Sequence, residues 1–385
     1  ICQKQIPIPG KIVSPLKWGK FWLNQARDIR DGGIPVLMRK VWKLPLRMFH
    51  TLWAVPVVLL ARAMRPLFLI RFGSLNWLGA GHFVADAAEQ WARLQKQPIN
   101  TVDFFWLPSK TINDHWAKMI KRNLPVYPWV LYLDLWNQLL PGGEDLFRPS
   151  SYTASRDIED LYHKYDVRFP FLSEEEETAK EWLYQQGWQE GDPFVCLLVR
   201  DEEYNVQHSM HAAGDRKSRK SRSYHSYRNS DIETYVPAME WLADQGVWIF
   251  RMGKIMAKPI PTQHPKIIDY AFNSGKSDLL DIWLFANCDF CITTSSGPDS
   301  ISNIYRKPML VINFAHLRLL WSWHEAVHVP KIMQWKDSGV ELTCSEYWNN
   351  SFLGTEKYEK NNIEIIDLTP NKIKKSVEEF WSRMQ

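Results

Sequence analysis

From residue 67 onward the hydrophobic pattern switches between two periods. Short apolar runs rich in β-branched and aromatic residues occur at 67–72, 102–107, 194–199, 247–252, 267–268, 290–293 and 309–313, each short enough for a buried strand. Between them lie segments of helical spacing at 82–94, 113–122, 230–245 and 278–286; in the first, Phe83, Ala87 and Trp91 recur at i, i+4 and i+8. This alternation predicts an α/β fold with parallel, doubly wound sheets. Residues 73–81 read as a loop with three glycines. Ser173 with Glu176, and Ser230 with Glu233, have capping-box spacing, and Gly187 and Gly246 stand where those helices should stop. The acidic run 174–176 reads as a solvated first turn. A last strand is expected at 363–368. Thr369 and Pro370 then open a final helix to Met384, expected to cross back to the first domain. Residues 141–165 are the least regular, and 314–362 are rich in Trp, His and Asn without a sustained period.

Residues 1–66 follow a different rule. Cations alternate with large apolar groups through 17–23 and 36–49, and the longest apolar run, 52–61, is broken by Pro56. A bilayer span needs about 20 apolar residues. Arg62 and Arg65 follow the run, which lies well inside the chain, so a signal peptide is a poor fit. The pattern suits one or two amphipathic helices on an anionic leaflet, with Trp and Leu down and Lys and Arg up. The competing reading is a basic arm packed on the body of the protein or on a partner. The chain opens at Ile1 without Met, so an earlier start is expected.

Composition narrows the class. At 385 residues the chain exceeds one usual core, which predicts an N-terminal extension (1–66) and two domains, 67–190 and 191–385. With 45% hydrophobic and 23% charged residues it is globular rather than disordered. Five Cys, an odd number without framework spacing, point to a reducing compartment. Cys288 and Cys291 form a single C-x-x-C with no second pair and read as core residues. The net charge of +4 hides a split: residues 1–70 carry +10 and the remainder −6.

The candidate chemistry lies on loops after the strands of the second half. Arg200 and Asp201 follow the run 194–199. Arg228 stands just before a helix start, and Arg251, Gly253 and Lys254 follow the run 247–252. Ser295, Ser296, Gly297, Pro298 and Asp299 form a small polar turn between a strand and a helix. Such a turn aims backbone N–H groups at one spot, which suits a phosphate; the competing reading is an ordinary, well-capped βα turn. Convergent cations on one rim of one sheet describe a diphosphate site, whereas each cation alone reads as a surface salt bridge. In the first half His82 follows a Gly-rich loop on the edge where ligands collect, with Asp86 one turn on. Residues 215–228 hold six cations and one acid, interleaved with Tyr224, His225 and Tyr227. A mobile lid over an anionic ligand, a nucleic-acid contact and a solvated loop all remain open for that loop. The run is short and its surroundings are acidic, so nucleic acid is not expected as a partner.

Together, Arg200-Asp201, the block 224–235, the segment 250–254, the helix 278–287 and the Ser-Ser-Gly-Pro-Asp turn resemble a family of bacterial glycosyltransferases found with surface-polysaccharide genes. The turn is also similar, more loosely, to the Ser-Gly-Pro turn of heptosyltransferase-type enzymes. The resemblance covers roughly 67–370 and is tightest over 195–313; the basic run 216–222 looks like an insertion. It implies a GT-B architecture, two Rossmann-like domains facing a cleft, with a nucleotide-sugar donor on the second domain and the acceptor on the first. The implied activity moves a sugar to a surface glycan or lipid-linked acceptor, in the cytoplasm, peripheral on the inner face of the membrane. Arg200, Asp201, Arg251, Gly253, Lys254 and residues 295–299 would hold the donor. Arg228 would neutralise the leaving phosphate, and His82, or else Asp86, would take the acceptor proton. The chain has no Asp-x-Asp, so neither a metal nor a cofactor is expected, and charge stabilisation falls to Arg, Lys and helix amides. The alternatives are a nucleotide-sugar epimerase of the same fold and a non-catalytic, membrane-associated nucleotide-sugar-binding scaffold.

Overall fold

The computed structural model describes residues 18–42, 44–150, 157, 159–204, 226–315, 317, 325–352 and 354–385. The basic run 216–222, with Tyr224 and His225, lies outside the described residues, as does the chain before Trp18. The chain forms two compact units. The first takes in Ile1–Trp77, Asp86–Thr111 and Ala117–Asp166; the second takes in Leu78–Ala85, Ile112–Trp116 and Val167–Gln385. Residues 167–190, expected with the first domain, therefore pack with the second, as do two short segments around Gly81 and Asn113.

The first unit is built from α1 (Trp18–Trp42), α2 (Leu44–Ala63), β1 (Leu69–Ser74), α3 (Ala80–Gln95), β2 (Thr101–Trp106), α4 (Asp114–Asn123), α5 (Val130–Leu139), β3 (Phe147–Arg148) and α6 (Leu161–Lys164). Helices α3 and α4 begin in segments assigned to the second unit. Helix α1 is interrupted at Gly33, whose φ of 63° is costly for other residues. The strands run parallel in the order β2-β1-β3. Gly73, expected to open a loop, instead lies inside β1 opposite Phe105 and Arg148, where a Cβ would strike the Arg148 backbone. Buried Asp103 ties the strands together. Arg71 of β1 grips it at 2.6 and 2.9 Å, and Arg148 of β3 lies 3.1 Å away. Such a charge is tolerated inside only when paired this fully. Helix α2 is no separate extension: Ala54, Val58 and Ala61 share a core with Phe72, Val130, Leu133 and Leu146.

The second unit contains α7 (Ser173–Gln185), β4 (Phe194–Leu198), α8 (Val236–Asp244), β5 (Trp248–Arg251), β6 (Ile267–Ile268), α9 (Leu280–Asn287), β7 (Phe290–Thr293), α10 (Ser300–Ile304), β8 (Met309–Phe314), β9 (Ala326–Pro330), β10 (Ile332–Trp335), α11 (Cys344–Asn349), α12 (Thr355–Lys360), β11 (Ile363–Ile366) and α13 (Pro370–Met384). Six strands form one parallel sheet in the order β6-β5-β4-β7-β8-β9. Val195, Leu197, Ile249, Ile292 and Leu310 from its strands pack with Met239 and Leu242 of α8 and Ile373, Val377 and Phe380 of α13. The last helix thus stays on its own unit instead of crossing back. The free thiols Cys196, Cys288 and Cys291 are buried, with Cys291 opposite Cys196 across β4 and β7.

Two caps differ from the predicted ones. Glu175, not Glu176, closes the box before α7, accepting the Leu172 N–H at 2.9 Å. Glu175 also lies 3.1 Å from His115, and Glu176 accepts the Trp283 indole N–H at 2.6 Å, so two residues of the acidic run are engaged while Glu174 stays exposed. Ahead of α8, Asp231 rather than Ser230 accepts the Glu233 N–H, at 3.1 Å, and a single 3-10 turn precedes the helix. The described parts of 314–362 also form regular elements. Antiparallel β10 and β11, with α11 and α12, enclose Tyr227, Met333, Tyr347, Tyr358 and Ile363.

Candidate functional site

A parallel sheet directs the C-terminal ends of its strands to one rim. Numbered along the chain, the six-stranded sheet has the order 3-2-1-4-5-6. After β4 and β7 the chain therefore leaves in opposite directions and opens a crevice between those two strand ends. Arg200 leaves β4 there. Its N–H donates to Thr294 Oγ1 at 3.0 Å, its Nε to Asn229 Oδ1 at 3.3 Å, and its carbonyl accepts the Ser230 N–H at 3.0 Å. Arg228 reaches the same place, its Nη2 donating to the Ser295 carbonyl. Ser295 holds a φ of 62°, uncommon for serine, with its N–H on Thr293 Oγ1 at 3.1 Å.

Carboxylates of the described residues act on this pair only from beyond ion-pair distance, Asp201 and Glu202 on Arg200 and Asp299 on Arg228. Among the described residues the acceptors facing Arg200 and Arg228 are an amide oxygen and a carbonyl, with no carboxylate within ion-pair distance. Burial, and after it the neighbouring Arg228, holds the Arg200 guanidinium at about 10, below its ordinary value. Two adjacent cations with neutral partners are disposed to take an anion.

The segment that carries Arg228 is held from behind. Lys331, buried between β9 and β10, donates to the Asn229 carbonyl at 2.6 Å and pairs with Asp367 at 2.5 Å. Burial lowers the Lys331 ammonium, and Asp367 opposes that shift. Ser226 Oγ lies 3.0 Å from Thr355 Oγ1, and the Tyr227 ring 5.2 Å from that of Tyr358. The sequence pattern singled out neither Asn229 nor Lys331 for this site. The one available signal was a lysine standing alone between the apolar runs of β9 and β10.

The Ser-Ser-Gly-Pro turn is organised inward. Asp299 accepts the Ser296 N–H at 2.8 Å and the Thr293 hydroxyl at 2.7 Å; burial pushes its carboxyl up to about 7, against those bonds. The N–H groups of Ser295 and Ser296 are thus already engaged, Pro298 has none, and α10 is only five residues long. The predicted cluster of free amides is therefore not what the turn offers. What the glycine provides is close approach. A Cβ on Gly297 would lie 2.7 Å from Gly81 N, so the two backbones touch, and His82, exposed in the first turn of α3, follows directly after that contact. Asp86 is 1% exposed and lies in the first unit, where burial, and after it Glu89, Asp157 and Asp86, push the Tyr162 hydroxyl up.

The side chains of the remaining predicted donor residues bond to other groups, although Asp201 and Arg251 also line a cavity. Arg251 is buried, 3.1 Å from Asp269, and donates to the Lys258 carbonyl at 3.2 Å. Lys254 lies 2.9 Å from Asp278 and donates to the Ile112 carbonyl at 3.0 Å. Gly253 leaves no room for a Cβ beside Met256. Asp201 accepts the N–H groups of Glu203 and Ala257 at 3.1 and 2.8 Å. It lines a cavity of about 350 Å³ with Val199, Asn229, Lys258 and Asp367. Asn229 thus belongs both to this cavity and to the contacts of the arginine pair. Of the predicted cations, Arg200 and Arg228 converge; Arg251 and Lys254 each serve a carboxylate.

No family model matches the chain, and no curated protein matches it. Among solved structures, a family 9 glycosyl transferase from Veillonella parvula is similar at a TM-score of 0.45 and 11% identity, over 82% of this chain and 98% of that one. The E. coli ADP-heptose LPS heptosyltransferase II is similar at a TM-score of 0.43 and 11% identity, over 82% and 99%. S. aureus MnaA, in a co-structure with UDP, is similar at 0.23 and 15% identity, over 62% and 65%.

Proposed function

We propose that the chain is a glycosyltransferase that moves a sugar from a nucleotide-sugar donor to a surface-glycan or lipid-linked acceptor, on a GT-B-like architecture and without a metal. The observation that supports this reading is the Arg200–Arg228 pair, facing neutral acceptors at the switch point of a parallel sheet. A diphosphate supplies the missing anion, and the cavity beside Asn229 takes the rest of the donor. As the bond between the sugar and the diphosphate breaks, negative charge grows on the leaving oxygen, and Arg228 stabilises it. His82, carried against Gly297, accepts the acceptor's proton in this scheme; Asp86 is too buried to do so. Ser295, Ser296, Gly297, Pro298 and Asp299 set the turn that presents the Ser295 carbonyl to Arg228. Arg251, Gly253 and Lys254 shape the neighbouring loop.

The test is incubation with UDP-, GDP-, ADP- and CMP-sugars, with and without glycan acceptors. Nucleotide release that depends on acceptor, and that falls about 100-fold or more in Arg228→Ala, supports transfer. An epimer formed without nucleotide release marks an isomerase, and binding without turnover marks a scaffold; either result overturns the proposal.

A further inference from the structure

We infer that the outer face of α2, with the second half of α1, is a docking surface for an anionic lipid bilayer. The inference stands independently of the proposed chemistry. Helix α2 is apolar on opposite sides. Ala54, Val58 and Ala61 fill the core of the first unit, whereas Phe49, Leu52, Leu59 and Leu60 point away from it, Leu52 being 77% exposed. In α1, Ile34, Met38, Val41 and Trp42 recur at i, i+4, i+7 and i+8 as one exposed stripe, Trp42 being 87% exposed. Single exposed apolar residues are ordinary, but an apolar stripe on each of two consecutive helices marks an interaction surface.

Charge selects the occupant. Residues 1–70 hold twelve Lys or Arg and two acids. Both acids are matched locally, Asp28 by Lys40 and Asp31 by Arg30, each at 3.0 Å, and Arg65 pairs with Asp145, so the excess rests on the remaining cations. A second copy would bring the same excess of positive charge and be repelled, whereas an anionic leaflet attracts it at about 1 kcal/mol per cation near the surface. Among the described residues no helix is long and apolar enough to cross a membrane, so these helices lie in the interface. Helix α2 is anchored as well. Arg62 fastens α2 by donating to the carbonyls of Pro141, Asn137 and Leu140 at 2.6, 3.1 and 3.1 Å.

Cosedimentation of the full chain with vesicles tests this, comparing phosphatidylcholine alone with phosphatidylcholine plus phosphatidylglycerol. Binding to the anionic vesicles is expected, weakening with salt. The double variant Leu52→Glu/Leu59→Glu changes only exposed positions, so its melting temperature should match the parent. Its vesicle affinity should fall at least about tenfold, since each leucine loses the burial that lipid provides. Failure of the parent to bind, unchanged binding by the variant, or a dimer in light scattering that the same variant dissolves would each overturn the inference.

Discussion

Replacing Arg200 by Met should raise the stability of the ligand-free protein while removing its response to ligand. The depression of Arg200 to about 10 corresponds to about 3 kcal/mol held against the buried cation at neutral pH, at 1.36 kcal/mol per tenfold. The sign follows from linkage. A base whose folded value is lowered disfavours folding wherever it stays charged in the folded state, and pH 7 lies well below 10. Methionine keeps most of the volume and carries no charge. The bond from Nε to Asn229 Oδ1 at 3.3 Å is lost, at about 1 kcal/mol. The net gain is about 1–2 kcal/mol, or roughly 2–8 °C in melting temperature for a unit of this size. Differential scanning fluorimetry with and without nucleoside diphosphates reads both effects. The parent should melt higher with ligand, by an amount set by concentration over Kd, and the Met variant should melt higher without ligand and hardly respond to it. A variant less stable than the parent that keeps the full ligand shift would refute the reasoning.

Three further outcomes follow. Lys331→Met should leave donor affinity within about threefold but lower kcat by tenfold or more, because the Arg228–Asn229 segment loses its anchor at 2.6 Å; steady-state kinetics on the folded variant decide it. Gly297→Ala should displace the Gly81–His82 segment, since the added Cβ meets Gly81 N at 2.7 Å; a loss of about 1–3 kcal/mol in stability, with a larger loss of transfer rate, is expected from melting and turnover together. Asp299, raised to about 7, contributes stability that is complete below the unfolded carboxylate range and lost as pH rises through 7. Asp299→Asn should therefore flatten the melting temperature between pH 5 and 8, while the parent melts lower at pH 8 than at pH 5.

Most of the second sheet was legible in the sequence because its strands are buried on both faces. Runs such as 194–198 and 290–293 are apolar from end to end and leave little choice of element. Caps were less legible. The Ser173 and Ser230 boxes each had a competitor nearby, and packing of Glu175 against His115 decided the first. The subdomain around β10 and β11 gave no period because its buried tyrosines bond through their hydroxyls, Tyr347 to the Lys331 carbonyl at 2.9 Å and Tyr358 to that of Phe352 at 3.1 Å. At the candidate site, the sequence placed the cations on one rim but could not reveal their partners. Asp269 and Asp278, 18 and 24 residues further along the chain, claim Arg251 and Lys254, and only the fold shows that Arg200 and Arg228 are left to face neutral groups.

Titration calorimetry of a nucleoside diphosphate against its parent nucleoside, on the unaltered chain and on Arg228→Ala, bears most directly on the paired guanidiniums as an anion site. The diphosphate should bind at least about tenfold more tightly than the nucleoside, with that advantage gone in the variant. Equal affinity for both ligands, or an advantage that survives the substitution, would contradict it.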